Sequence, residues 1–140
     1  MGMYTEIYFH AEVSREAADI LTAQHDGTIF KRPDHPFFRT ERGDWLTNMS
    51  SAYFPGASVF TVVPAWQDEY AKYGDDNDER AIVTIRSSIK NYDSEIEKFF
   101  DWIKPHTVSW GGGGKRGFIG YSLYEEGEIV PYYLLNEDGE

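Results

Sequence analysis

The first part of the chain alternates between apolar and polar positions. From Met3 to Val13 the odd-numbered positions are mostly apolar, while the even-numbered positions carry tyrosine, histidine and glutamate. A period of two places these two sets on opposite faces of a β-strand. The pattern therefore predicts an opening strand whose odd face enters the core and whose even face meets solvent.

Two amphipathic helices are predicted from capping residues and apolar stripes. Ser14 is placed to cap a first helix that ends near Gly27. Ser94 and Glu97 have the spacing of a capping box, and Pro105 ends the helix that follows them. The apolar stripe of this second helix consists of Ile96, Phe99, Phe100 and Ile103.

Further strands are predicted from shorter alternating runs between turn residues. The longest is Arg80 to Ile89, and a hairpin turning at residues 125–127 is predicted near the end of the chain. The other predicted strands are Trp45–Met49, Ala52–Phe54, Ser58–Val63, and the hairpin strands Phe118–Tyr124 and Glu128–Leu135. Residues 28–44, which contain two prolines, are predicted to form a loop.

The order of these elements favours a single α+β domain over residues 1–140. Because most connections are hairpin-like, we expect a largely antiparallel sheet of about five to seven strands, with two main helices packed on one face. Three segments fall outside this frame: an acidic loop or short helix at 64–79, a glycine-rich connector at 109–117, and a frayed tail at 136–140.

The glycine-rich connector does not have the pattern of a phosphate-binding loop. That motif begins with glycine where this chain has Ser109, and it places a hydroxyl residue where this chain has Arg116. The connector also precedes a predicted strand, whereas a phosphate loop leads into a helix N-terminus. We therefore expect no nucleotide cofactor.

Charge and composition narrow the classes of partner. The chain has 24 acidic and 13 basic residues, a formal net charge of −11, and no cysteine. Such a chain is repelled by nucleic acid and anionic lipid, and it lacks the run of about 18 apolar residues that spans a membrane. We expect no direct nucleic-acid binding, no membrane association and a cytoplasmic location. The acidity suits three roles: solubility, attraction of a basic protein partner, or imitation of a nucleic acid.

Candidate chemistry is sparse. The acidic run at 75–79 departs from a calcium-binding EF-hand at Arg80 and Arg86, and His25 and His35 do not have the spacing of metal ligands. No metal, no cofactor and no catalytic residues are predicted. Enzymatic activity is left open but is not favoured.

Two sets of residues are candidate binding surfaces. The first is the even face of the opening strand, where stacking surfaces accompany a carboxylate and an imidazole; its members are Tyr4, Glu6, Tyr8 and His10. This set suits a small molecule or acid–base chemistry, although tyrosines on strands more often serve only cross-strand pairing. The second set is the acidic run: Asp75, Asp76, Asp78 and Glu79. Together with Glu125, Glu126 and Glu128, it could imitate a nucleic acid if all lay on one surface.

Four stretches of the chain resemble a family of small uncharacterised proteins of phages and prophages. They are MYTEIY at 3–8, SAYFPG at 51–56, the block from IKNY at 89–92 through EIEKFFDWIKP at 95–105, and FIGY at 118–121 with YEE at 124–126. The block from Lys90 to Pro105 is the most specific. The chain departs from the family at 64–79 and in the glycine run. The resemblance implies an accessory role inside a bacterial host, and it transfers no functional residues.

The leading hypothesis is therefore a non-enzymatic protein that binds and modulates a host or phage protein. The ten tyrosines and four tryptophans support it, because both residue types are favoured at interfaces. These aromatic residues equally suit a homodimer. One form of the hypothesis is an inhibitor of a host system that acts by acidic mimicry of a nucleic acid. The alternative is a small-molecule-binding protein or hydrolase that uses the even face of the opening strand.

Overall fold

The computed structural model describes residues 4–28, 32–40, 42–49, 58–64, 80–107, 118–124 and 127–133. The strands are β1 (Thr5–Ser14), β2 (Val59–Pro64), β3 (Arg80–Ile89), β4 (Phe118–Tyr124) and β5 (Ile129–Tyr133). The helices are α1 (Arg15–Asp26) and α2 (Glu95–Ile103). Short 3-10 turns cover Pro36–Arg39, Gly43–Trp45 and Lys104–His106.

The five strands form one antiparallel sheet in the order β2-β3-β1-β4-β5. Strand β1 lies at the centre, paired with β3 along its whole length and with β4 over its first half. The predicted α+β fold with a largely antiparallel sheet is confirmed, as are the positions of β1, β2, β3 and the hairpin.

Both helices pack on the same face of the sheet, which we call the helix face. Phe9 of β1 points to this face, and its ring meets Phe99 of α2 in an edge-to-face contact with centroids 5.3 Å apart. From α1, the His25 ring lies 4.7 Å from the ring of Phe60 on β2. The predicted stripe of α2 is wholly buried in this core. Apolar burial of this kind is the main stabilising contribution.

The ends of α1 agree with the sequence prediction. The Ser14 hydroxyl accepts a hydrogen bond from the Ala17 amide at 3.2 Å, which satisfies an amide that has no partner within the helix. Gly27 ends the helix in the left-handed conformation, with φ of 74°.

The N-terminus of α2 is capped differently from the prediction. Ser94 makes no side-chain capping bond, and its own φ is 54°. Instead the Asn91 side chain reaches forward: its Oδ1 accepts from the Ile96 amide at 2.8 Å, and its Nδ2 donates to Glu97 at 2.7 Å. The predicted capping box is wrong, because the left-handed turn at Ser94 brings Asn91 over the helix end.

The predicted strand at Trp45–Met49 is also wrong. This stretch begins within a 3-10 turn and continues as turns, with the Leu46 amide bonded to the Gly43 carbonyl at 3.1 Å. Leu46 is buried in the core, and its carbonyl accepts a hydrogen bond from the hydroxyl of Ser87 on β3. The apolar residues therefore anchor a turn against the sheet, a role that periodicity alone does not separate from a strand.

Asp44 ties this turn region to α1 and to Arg32. Its carboxylate accepts from the Arg32 guanidinium, at 2.8 Å for one of the two bonds, and from Gln24 of α1 at 3.0 Å. The hydrogen bond from Arg32 lowers the pKa of Asp44.

Several predictions lie outside the described residues: the strand at 52–54, the acidic segment at 65–79, the glycine-rich connector at 109–117 and the tail at 136–140.

A close approach between β1 and β4 makes Gly120 sensitive to substitution. A Cβ atom at this position would lie 2.0 Å from the carbonyl oxygen of Tyr8. We expect Gly120→Ala to lower the free energy of unfolding by about 1–3 kcal/mol in urea titrations, because the strands must separate. Gly127→Ala is the matched control: its Cβ would meet nothing closer than 3.4 Å. Equal effects of the two substitutions would contradict the assigned pairing.

The cap of α2 generates a second prediction. Asn91→Ala should lower the free energy of unfolding by about 1 kcal/mol, because the Ile96 amide loses its acceptor. Ser94→Gly should leave stability unchanged or raise it by up to about 1 kcal/mol, since glycine adopts a positive φ without strain. A loss of stability in Ser94→Gly with none in Asn91→Ala would contradict the Asn91 cap and support the capping box of Ser94 and Glu97.

Candidate functional site

The even face of β1 points away from the helices, and we call this side of the sheet the second face. Tyr8 lies opposite Arg86 of β3 and Tyr121 of β4. Tyr8 is half-buried and His10 is exposed, while Tyr4, just before the strand, is half-buried. The structure thus places Glu6, Tyr8 and His10 on one side of the sheet, as the alternation predicts.

Glu6 does not meet solvent as predicted, because it is fully buried. The Ser88 hydroxyl donates to its carboxylate at 2.7 Å. Glu12 on the same face is buried as well, with Arg80 3.3 Å from its carboxylate. These two carboxylates are therefore buried on a face where His10 is exposed and Tyr8 is half-buried. Partners on β3 offset part of the cost of burying these carboxylates.

The second face shows cross-strand pairing rather than a catalytic arrangement. The rings of Tyr8 and Tyr121 stack with centroids 5.6 Å apart. Burial raises the pKa of Tyr121, and the negative charge of Glu6 raises it further. Exposed His10 bonds to Thr84 at 2.7 Å and lies two same-face steps from Glu6, roughly 14 Å along the strand. Glu6 and His10 are therefore too far apart to act as an acid–base pair.

The remaining candidate residues of the sequence analysis are the acidic run and the histidines. Asp75, Asp76, Asp78 and Glu79 lie outside the described residues. Within the described ranges, no three histidine, aspartate or glutamate side chains come together as a metal site. His25 bonds to Thr47 at 2.8 Å, and His35 bonds to Asp101 at 2.9 Å, so the two histidines serve different contacts.

A groove of about 440 Å³ lies on the helix face, between the start of α2 and the β4–β5 hairpin. We call it the tyrosine groove. Two of its residues, Thr5 and Ser122, are buried in the sheet. Four others have exposed side chains: Tyr92, Glu97, Tyr124 and Glu128. Sequence reasoning did not group these residues, because they come from four separate segments of the chain.

The tyrosine groove is held in place by contacts between α2 and β5. The ring of Tyr132 on β5 stacks on Phe100 of α2, with centroids 3.8 Å apart and an angle of 6° between the planes. The Tyr132 hydroxyl lies 3.5 Å from the hydroxyl of Ser122, within hydrogen-bond distance. Burial raises the pKa of Tyr132. These contacts fix the side chains that form the floor of the groove.

The exposed residues of the groove combine aromatic rings with carboxylates. Tyr92 is 63% exposed and Tyr124 is 41% exposed, which is unusual for such large side chains. Glu97 and Glu128 are also exposed, and Glu97 is oriented by the hydrogen bond from Asn91. Tyrosine faces and carboxylates both attract cations. The arrangement suits a lysine or arginine side chain better than an anion.

Comparison with protein-family models, with curated proteins and with solved structures finds no match to this chain. Within the described residues, neither helix is both long and apolar enough to cross a membrane.

The burial of Glu6 leads to a prediction that separates structural from functional roles on β1. Glu6→Ala should lower the free energy of unfolding by about 1–3 kcal/mol, because the buried Ser88 hydroxyl loses its acceptor. His10→Ala should change it by no more than about 0.5 kcal/mol, since His10 is exposed. Thermal and urea unfolding measure both variants. A fully stable Glu6→Ala protein would show that Glu6 is not part of the core.

Proposed function

We propose that this protein is a non-enzymatic binding protein of the phage accessory type, which modulates a protein partner inside a bacterial host. The tyrosine groove is the binding site in this proposal. Its ligand is a segment of the partner that presents a lysine or arginine side chain. The observation that carries the proposal is the meeting of exposed Tyr92 and Tyr124 with Glu97 and Glu128 in one groove.

Charge supports this choice of ligand at two ranges. At long range, the net charge of −11 attracts a basic partner and raises its rate of encounter. At short range, the groove offers two carboxylates for ion pairs and two tyrosine rings for cation–π contacts. Tyr92 is 63% exposed although Arg42 lies 5.0 Å from the centre of its ring. The same charges disfavour an acidic partner at this groove, which provides specificity.

Apolar surface next to the groove supports a protein partner rather than an isolated cation. Val130 lines the groove from β5, an edge strand of the described sheet, and it is 51% exposed. A central apolar and aromatic patch with polar groups around it is the usual composition of a protein interface. A partner that places its basic side chain in the groove can cover Val130 as well.

The small-molecule or hydrolase alternative on the second face of the sheet has less support. It needs an accessible Glu6 that acts together with His10, and Glu6 is buried. The acidic-mimicry form depends on residues 75–79, 125 and 126, which lie outside the described residues.

A bacterial-lysate pull-down with matched variants tests the proposal. The bait is the whole chain, compared with the double variant Tyr92→Ala with Glu128→Gln. We expect the double variant to lose the partner at least about tenfold, because it removes an exposed aromatic contact and a charge. Retention by the original protein should fall with added salt, since the pairs involved are exposed to solvent.

The matched control is Glu16→Gln, which removes an exposed carboxylate from α1 on another part of the surface. It should retain the partner as the original protein does. Equal retention by the double variant, or equal loss in the control, contradicts the groove as the site. If sedimentation shows a dimer that the double variant abolishes, the ligand is a second copy of this chain and the host-partner proposal fails.

A further inference from the structure

A second concavity, of about 260 Å³, lies near the last residues of β3. Among the described residues, β2 begins at Val59 opposite Arg86, and the turn that contains Trp45 and Met49 borders the last part of β3. We call this concavity the cationic cleft. Its residues are Tyr4, Arg42, Trp45, Met49, Ile89 and Lys90.

Two positive side chains line the cationic cleft in a chain that is strongly acidic overall. The Lys90 ammonium lies 5.8 Å from the centre of the Tyr4 ring. The Arg42 guanidinium lies 5.0 Å from the centre of the Tyr92 ring and 3.8 Å from the carboxylate of Glu95. These contacts restrict both cations to the walls of the cleft.

Glu95 explains why Arg42 is held in this position. Its carboxylate is fully buried at the first turn of α2, and it also accepts a hydrogen bond from the Asp93 amide at 3.0 Å. Separating Arg42 from a buried carboxylate is costly, so the guanidinium keeps its place beside the cleft. The site is therefore organised before any ligand arrives, which lowers the entropic cost of binding.

Trp45 supplies a flat surface beside these cations. It is 51% exposed, although tryptophan is among the largest apolar side chains. A wide indole face next to cations is suited to a planar ring that carries negative charge, since the ring stacks while the anion pairs. The volume of about 260 Å³ lies just below the usual range of ligand pockets, so the cleft suits a ligand of one or two rings and not a larger cofactor.

We propose that the cationic cleft binds a small planar aromatic ligand that carries an anionic group, either a carboxylate or a phosphate. The ring lies against Trp45, and the anion lies between Lys90 and Arg42. This site shares no lining residue with the tyrosine groove and takes a ligand of opposite charge, although Arg42 of the cleft contacts Tyr92 of the groove. Its test leaves Tyr92 in place, so it stands or falls independently of the proposed function.

The test follows the indole N–H signal of Trp45 by NMR while probes are added to the whole protein. Trp45→Phe assigns the signal by its disappearance. The probes are indole-3-acetate and phenyl phosphate, and the uncharged controls are indole-3-acetamide and phenol. We expect at least one anionic probe to shift the signal with saturation and to bind about tenfold more tightly than its uncharged control. Which probe binds more tightly identifies the anion.

Lys90→Gln and Lys98→Gln separate a local contact from a general charge effect. Both remove one positive charge, but Lys98 lies on α2 and does not line the cleft. We expect Lys90→Gln to weaken the anionic probe about tenfold and Lys98→Gln to leave it unchanged. Equal weakening by both variants, equal binding of charged and uncharged probes, or no shift of Trp45 would overturn the proposal. Thermal unfolding of each variant confirms that the fold is intact.

Discussion

The central position of β1 is the constraint on which the rest of the structure depends. With β3 on one side and β4 on the other, β1 carries buried residues on both faces of the sheet. Phe9 is buried against α2, and Glu6 is buried on the opposite face. A buried carboxylate needs partners, and β3 supplies Ser88 for Glu6 and Arg80 for Glu12. The sheet is held by polar contacts on one face and by an aromatic core on the other.

The aromatic core also determines where the two candidate sites form. Phe9 contacts both Phe99 and Phe100, and Phe100 in turn carries the stacked ring of Tyr132 from β5. This chain of contacts sets the distance between α2 and the hairpin, and so the width of the tyrosine groove. The residues that lead into α2 contribute Tyr92 to the groove and Lys90 to the cationic cleft.

Two sites of opposite local charge lie near each other on a chain whose net charge is negative. The tyrosine groove presents carboxylates, whereas the cationic cleft presents Arg42 and Lys90. Arg42 also lies over the ring of Tyr92, which belongs to the groove. At physiological salt, charges act over about 8 Å, so the nearest side chains rather than the net charge decide what docks at each site. Net charge then acts mainly on the rate of encounter.

The sequence by itself determined the elements whose signals are local. The alternation of β1 and β3, the stripe of α2 and the caps of α1 at Ser14 and Gly27 could all be predicted, because each depends on residues a few positions apart. Local periodicity does not say which strands pair with β1 or which side chains surround Glu6, so only the tertiary structure decided that Glu6 is buried. The tertiary structure likewise decided that Asn91 caps α2 and that Trp45–Met49 forms turns. It also brought Tyr92 and Tyr124 into one groove, because sheet pairing joins segments that no sequence spacing relates.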